Sequence, residues 1–552
     1  MTKHLPGGPT AHVDTFAAEN LPPKDHWPEF DFDSLPILQT YPDRMNAGVE
    51  LLDHMCDTGH ADSPVLHYED TTWTYAELRD LADKIARVLV EDHGLVPGNR
   101  VLLRAGNNPM LVACWYAVLK AGGICVTTMQ LLRARELVYI VEKAEIRHAL
   151  CDVSLAEAME ETCKRKPELT DTLYFSAMGG TDASLDVAVT GKSAGFENCD
   201  TAADDTALIA FTSGTTGTPK ATMHFHRDII AMCDCFPRSF NMAEPHDIFT
   251  GTPPLAFTFG LGGLTCFPMR FGASTRFFPG PLSPEDMMAA IEKYKITSLY
   301  TAPTMYRLLA DLADKYDISS LEKCVSAGET LPKATWEVFH KATGIPIVDG
   351  LGSTEMIHIF VAASREDMRP GFTGKAIPGY RAKIVDEDGN DLGPNQPGLL
   401  AVQGPTGCRY LADDRQGVYV EDGWNYPGDI YEMNEEGYFK YVARADDMII
   451  SAGYNISGPE VENALLDHPA VAECAVIGKP DEKRTNIVKA FIVLRDGFDA
   501  CVELTKTLQD FVKNEIAPYK YPREIDFVDA LPKTETGKLQ RFRLRDQEST
   551  TA

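Results

Sequence analysis

The sequence has 552 residues, 44% of them apolar and 24% charged, and carries a formal charge of −29. That length implies two or three domains, and the acidity excludes nonspecific binding to nucleic acid or an anionic membrane, whose phosphates it would repel. Thirteen cysteines without a C-x-x-C pair read as reduced thiols of a cytoplasmic protein.

The first 45 residues, with "LPPKDHWPEFDFDSLP" among them, are rich in Pro, Asp and aromatics and read as an irregular arm laid over the surface. No apolar run of the signal-peptide kind occurs in "MTKHLPGGPTAHVDTF". In "TWTYAELRDLADKIARVLVEDHG", Leu78, Leu81, Ile85 and Val88 recur at helical spacing, and Thr74 with Glu77 makes a capping box. "NRVLLRAG" (99–106) reads as a buried strand. The most apolar stretch, 111–129, is broken by Lys120 and two glycines and predicts a buried helix running into a strand, not a membrane span. Strand-like and helical runs then alternate to about residue 350. "ITSLYTAP" (296–303) precedes "TMYRLLADLADKY", and "IPIVDGLGST" (345–354) precedes "EMIHIFVAA", which is read as helical. This alternation predicts an α/β fold of mixed or parallel sheets layered with helices, with functional loops at strand ends. From 374 onward, short strands with D-G and P-G turns predict a small β-barrel-like part. After a break near 441–462 comes an α+β pattern: helix "PEVENALLDH", strands "VAECAVIG" and "IVKAFIVL", helix "LTKTLQDFVKNEI".

The chemistry begins at "FTSGTTGTPK" (211–220), after strand-like "DTALIA". Gly214 and Gly217 allow sharp turns, while Thr212, Ser213, Thr215 and Thr216 offer hydroxyls. Successive backbone N–H groups can form an anion nest, to which Lys220 adds a point charge. The spacing is not G-x-x-x-x-G-K-[ST], because Ala221 follows the lysine. "GKS" at 191–193 fails as well, with Asp186 where a Gly is needed. Both mismatches exclude a kinase or ATPase of that loop type. "ATMHFH" continues as a strand, so the loop is expected to close over phosphate as a flap rather than open a helix. His224 and His226 would share one strand face, as a metal pair does, but no third ligand is near and they read as structural.

Four motifs in order resemble the adenylate-forming superfamily of acyl-CoA synthetases, adenylation domains and luciferases, over residues 50–545. They are "TSGTTGTPK", "GLGSTEM" (350–356), "YPGDIYEMNEEGYFKYVARADDMIISAGYNISGPEVE" (426–462) and "LPKTETGKLQR" (531–541). The resemblance implies a large N-terminal domain, 1–445, binding ATP and the acid. It implies a small mobile C-terminal domain, 446–552, hinged at Asp446. It also implies an acid–thiol ligase working in two half-reactions with ATP, Mg²⁺ and coenzyme A. A carboxylate first attacks the α-phosphate of ATP, releasing pyrophosphate; a thiol then attacks the acyl carbon and expels AMP. Bringing one anion onto another requires cations and preorganised donors. By resemblance, Ser213, Thr215, Thr216 and Lys220 hold the β- and γ-phosphates, within a loop completed by Thr212, Gly214 and Gly217. Thr354 contacts the α-phosphate, Glu355 holds Mg²⁺, and Lys538 bridges carboxylate and α-phosphate. Ala327, Gly328 and Glu329 on one side and Asp349, Gly350, Leu351, Gly352 and Ser353 on the other sandwich the adenine. Asp429 accepts from both ribose hydroxyls, and Arg444 reaches ribose or phosphate. Gly453, with Tyr454 and Asn455, lines the thiol tunnel, and Arg409, Lys520 and Arg523 are candidates for the CoA phosphates.

The similarity is closest to aryl-CoA ligases of the benzoate and 2-aminobenzoate type. An aryl acid needs a flat apolar slot with one polar handle. Phe257, Phe259, Gly260, Gly262, Ile357 and His358 are the candidates, Phe257 standing where many relatives carry His. Leu131, Leu132 and Ile357 equally suit a short or medium alkyl chain. Other readings are an adenylation enzyme loading a carrier-protein thiol and a non-catalytic nucleotide sensor. The full set Lys220, Glu355, Asp429, Arg444 and Lys538 weighs against the sensor. The expected partners are a small carboxylic acid, ATP and CoA, with no nucleic acid or membrane, in a monomer or homodimer.

Overall fold

The computed structural model describes residues 5–212, 219–451, 454–481, 484–516, 518–533 and 539–551. Its frame is two large sheets. In the first, the strands run in the order Asp171–Phe175, His148–Asp152, Arg100–Arg104, Ile124–Thr128, Thr206–Thr212, Lys220–Phe225. All neighbours are parallel except the last pair, a hairpin that brackets the glycine-rich loop. Arg100–Arg104 is buried at every position, as a parallel strand covered on both faces must be. The apolar stretch after it is a helix, Pro109–Lys120, running into the strand Ile124–Thr128 as expected. Asn108 caps the helix by accepting from Leu111 N, and Pro109 sits where a missing N–H costs nothing. The Thr74–Glu77 capping box is also present.

The second sheet has nine strands, with a parallel centre formed by Ile347–Gly352, Lys323–Ala327, Ser298–Thr301, Ile248–Gly251, Ser274–Phe277 and Pro64–Tyr68. Here one expectation fails. "EMIHIFVAA" is not a helix: Ile359–Ala362 is a strand antiparallel to Ile347–Gly352. The cause is a chain reversal at residues 354–357, where Ile357 takes a left-handed backbone (φ 68°) that no helix tolerates. A third, antiparallel sheet holds Arg381–Val385, Gly398–Gln403, Asp429–Met433 and Phe439–Arg444 with two shorter strands. Past residue 449 the chain builds separate sheets, the main one from Val471–Asp481, Thr485–Leu494 and Glu524–Phe527. Helices Gly458–Leu466 and Val502–Glu515 close a core around Val461, Leu465, Val476, Ile492 and Leu508.

The N-terminal arm lies over the surface as expected, most of its residues exposed or half-buried, but a few anchors sink into the core. Phe30 and Phe32 are 5% and 3% exposed. They pack with Phe225 against two buried guanidinium groups. Arg227 lies 5.3 and 5.4 Å from the Phe30 and Phe32 rings, and Arg409 lies 5.0 Å from Phe30 and 3.9 Å from Phe225. Aromatic faces are favourable surroundings for desolvated cations. Arg409 is therefore no CoA-phosphate ligand. It is fully buried and paired with Asp228, which is buried too. The reason is alternation. Residues 409–411 run antiparallel beside 221–223, through Met223 N to Arg409 O and Leu411 N to Ala221 O. Extended neighbours point to opposite sides, so Arg409 turns into the core.

Removing one member of a buried pair leaves the other charged and uncompensated. Arg409→Ala is expected to cost about 3–5 kcal/mol, read as a lower urea midpoint. The double variant Arg409→Met/Asp228→Asn should lose less than Arg409→Ala; an equal or larger loss would show that the pair's charge is not what matters.

Candidate active site

The site gathers at the carboxyl ends of the parallel strands. Lys220 opens the strand after the glycine-rich loop, opposite Thr212. Its ammonium donates to the Tyr410 hydroxyl (3.1 Å) and lies 4.9 Å from that ring's centroid. Tyr410 in turn donates to Glu355 Oε1 (2.7 Å). Burial, and then the Glu355 charge, push the phenol far above its ordinary range, so it stays a neutral donor. Cation, hydroxyl and carboxylate thus stand in one line. Tyr410 escaped sequence reasoning because only its alternation with buried Arg409 points it here; its place next to a residue already singled out was the one available signal.

Thr354 and Glu355 are half-buried and follow the strand Ile347–Gly352 directly. Ser353 Oγ accepts from Met356 N (3.2 Å) and bonds the Tyr419 hydroxyl (3.0 Å), a second unforeseen tyrosine. Ala327 ends the neighbouring strand, with Gly328 and Glu329 just beyond it, so both halves of the expected adenine sandwich start from adjacent strands. Asp349 is buried, and desolvation pushes its carboxyl up to about 7 despite hydrogen bonds from Thr373 and Gly350 N. Asp429 lies opposite Arg444 in its sheet, and the guanidinium donates to the carboxylate (3.1 Å) and to Pro427 O (2.9 Å).

On the other side of residues 354–357 lies an aromatic nest. His358 is 4% exposed, with Phe267 4.4 Å and Phe259 5.8 Å away, centroid to centroid. Its Nε2–H donates to Phe259 O (3.4 Å), and burial drives the imidazole pKa down to about 3, so the ring is neutral. Gly262 is required here, since a Cβ would stand 2.3 Å from His358 Cδ2. Gly260 is required for a different reason, the Pro254 carbonyl oxygen 2.1 Å from its would-be Cβ. Tyr300, whose ring lies 6.0 Å from Phe259, completes the nest and was not foreseen. Phe257 and Phe259 are half-buried and Ile357 is fully buried.

Ser213, Gly214, Thr215, Thr216, Gly217, Gly453 and Lys538 lie outside the described residues, as do the side chains of Asp446, Tyr454 and Asn455. The backbone of Asp446 sits in a short turn, Ala445–Asp447. Lys520 donates to both oxygens of Glu460 (2.6 Å each), which compensates its charge, and Arg523 donates to the Tyr521 hydroxyl (3.0 Å). Among the described residues no cluster of three metal-ligating side chains forms; His224 Nε2 lies 2.8 Å from Thr354 O, and His226 Nδ1 accepts from Ala47 N (3.0 Å). A lone, half-buried Glu355 fits Mg²⁺, which commonly takes one or two carboxylates and completes its shell with substrate phosphates and water. It does not fit a resident all-protein metal cage.

Residues 53–410 match the AMP-binding enzyme family, and residues 460–538 match the AMP-binding enzyme C-terminal domain. The benzoate–CoA ligase of Thauera aromatica is 33% identical over 93% of this chain and 98% of its own. Human acyl-coenzyme A synthetase ACSM3 is 33% identical over 88% of this chain and 84% of its own length. The crystal structure of the anthranilate CoA ligase AuaEII with anthranoyl-AMP superposes with a TM-score of 0.87, at 31% identity, covering 93% of this chain and 99% of that one. The chain belongs to the AMP-binding enzyme family, the adenylate-forming enzymes. Within it, the protein is an AMP-forming acyl-CoA ligase.

Because Asp349 is protonated at higher pH when folded than when unfolded, its contribution to stability declines as pH rises from about 4 to about 7. Asp349→Asn should remove that decline, so that stability–pH curves of variant and parent converge at low pH and separate near neutrality in the variant's favour. Parallel curves would overturn the assignment.

Proposed function

We propose that this ligase acts on an aryl acid of the benzoate or 2-aminobenzoate kind, using ATP, Mg²⁺ and coenzyme A, in the cytoplasm. The observation that carries the reading is a juxtaposition on five residues. Glu355 ends the Lys220–Tyr410 line and shares a turn with Thr354, while His358, at the far end of the five, belongs to the aromatic nest. One turn therefore carries phosphate-side and acid-side groups three residues apart, which supports the proximity that attack of a carboxylate on an α-phosphate demands. The names of the benzoate and anthranilate ligases among its relatives support the aryl class.

In this reading the ring is received beside the half-buried Phe259, and His358, neutral and buried, offers a hydrogen-bonding handle without a charge that would hold the carboxylate in the wrong place. Lys220 meets the phosphates, and Thr354 orients the α-phosphate for in-line attack. Bound through Glu355 and the phosphates, Mg²⁺ would neutralise charge as the Pα–O bond to pyrophosphate breaks. Lys538 stabilises the pentacoordinate phosphorus from the C-terminal domain, 446–552. That domain then turns about Asp446 and brings Gly453, Tyr454 and Asn455 in its place, opening the thiol path. Arg523, which donates to the Tyr521 hydroxyl, is the better CoA-phosphate candidate, Lys520 being held by Glu460.

Two measurements test this. AMP formation with benzoate, aminobenzoates, hydroxybenzoates, phenylacetate and short alkanoates should be fastest with a benzoate-type acid; a preference for alkanoates would overturn the aryl assignment. Lys538→Ala should lower acid-dependent pyrophosphate release by about 100-fold or more while sparing CoA transfer from a supplied acyl-adenylate. Equal loss in both half-reactions would refute the domain exchange.

A further inference from the structure

We infer that His224 is a positioning residue for adenylation, fixing the Thr354 carbonyl and through it the aim of the Thr354–Glu355 turn. The inference rests on the proposed roles of Thr354 and Glu355.

His224 lies on the strand Lys220–Phe225 and is fully buried. Residues 220, 222 and 224 of a strand share a face. That face meets the turn at two points. Lys220 reaches Glu355 through the Tyr410 hydroxyl, and His224 Nε2 lies 2.8 Å from Thr354 O. A carbonyl oxygen only accepts, so Nε2 carries the proton and donates. Nδ1 faces Asp228 Oδ2 at 3.8 Å, and Asp228 is itself paired with Arg409 and accepts from Phe225 N (2.9 Å). The imidazole is thus bonded in front to the turn, with the buried ion pair packed behind it at 3.8 Å and no hydrogen bond to Nδ1.

The turn needs such a bond. Thr354 O is also the acceptor that closes it, receiving Ile357 N (3.1 Å). Ile357 has φ 68°, a region that a β-branched residue enters only under strain, at a cost of order 1–3 kcal/mol. Strained backbone persists only where its surroundings over-determine it. His224 supplies one such determinant at the closing carbonyl. Without it, the turn is free to relax, carrying Thr354 and Glu355 off the line set by Lys220. The strand then acts as a ruler: whatever places the phosphate-side lysine also places the metal-side carboxylate.

A displacement of this kind should appear in kcat rather than in substrate binding. His224→Gln can place an amide N–H near the Nε2 position, His224→Asn falls short of it, and His224→Leu fills the space without a donor. In acid-dependent pyrophosphate release, Leu and Asn are expected to lower kcat by about 100-fold with KM for the acid little changed, and Gln to recover most of that loss. Melting temperatures recorded on the same variants separate positioning from stability. The inference is overturned if Gln is no better than Asn, if activity simply follows melting temperature, or if KM rises with kcat intact. Glu355→Gln, assayed alongside, keeps the two readings apart. Full activity of that variant would reject the proposed site itself. An inactive Glu355→Gln with an unresponsive His224 series would reject only the role of His224.

Discussion

The buried Arg409–Asp228 pair is the constraint on which the site depends. Desolvating two charges is costly, and the cost is offset only where geometry and further hydrogen bonds are good. Here Asp228 caps its helix by accepting from Phe225 N, Arg409 Nε also donates to Met223 O (3.3 Å), and Phe30 and Phe225 cover the guanidinium. Burial opposes the Asp228 charge, yet Arg409, first among the nearby cations, holds the carboxyl below its ordinary value. Three segments far apart in sequence are locked together by this one pair: the arm near residue 30, the strand after the glycine-rich loop, and residues 409–411. Tyr410 and His224 take their places from it, one by strand alternation and the other by contact.

A second theme is control of charge. The chain is strongly acidic, yet the chemistry proposed for it brings together a carboxylate and a polyphosphate. The site answers by keeping His358 and Tyr410 neutral and Asp349 only partly ionised near neutral pH. Burial lifts Asp349 to about 7, lowers His358 to about 3, and keeps Tyr410 a protonated donor. The remaining full charges stand in defined pairs or lines, Lys220 with Glu355 through Tyr410 and Arg444 with Asp429. Neutral hydrogen-bonding groups orient a ligand without the long-range repulsion that another carboxylate would add.

Around the proposed pivot, the electrostatics favour the C-terminal side. Asp447, beside Asp446, is bonded to Arg545, and Arg541 lies 3.9 Å from it while donating to Glu462 (2.7 and 2.8 Å). These partners lie on the helices Arg541–Thr551 and Gly458–Leu466. A turn with one end held by its own unit is a mechanically reasonable place for a swing, because rotation need not break those bonds.

The sequence by itself determined the alternating α/β frame, the capping box at Thr74, the buried helix into strand at 109–128, and the order of the family motifs. Each of these rests on local spacing, which side-chain periodicity and backbone preference encode directly. It also brought Lys220, Thr354, Glu355, Asp429 and Arg444 to notice, because their motifs are contiguous. Only the tertiary structure decided the rest. The strand at Ile359–Ala362 replaced an expected helix because a strained turn at Ile357 reverses the chain. Arg409 went to the core and Tyr410 to the site because residues 409–411 pair with a strand nearly 190 positions earlier in the chain. Phe30 and Phe32 of the arm were drawn into the core, where they cover two buried cations. In each case the deciding contact joins residues remote in sequence, and no local pattern records which of two neighbouring side chains a distant partner will bury.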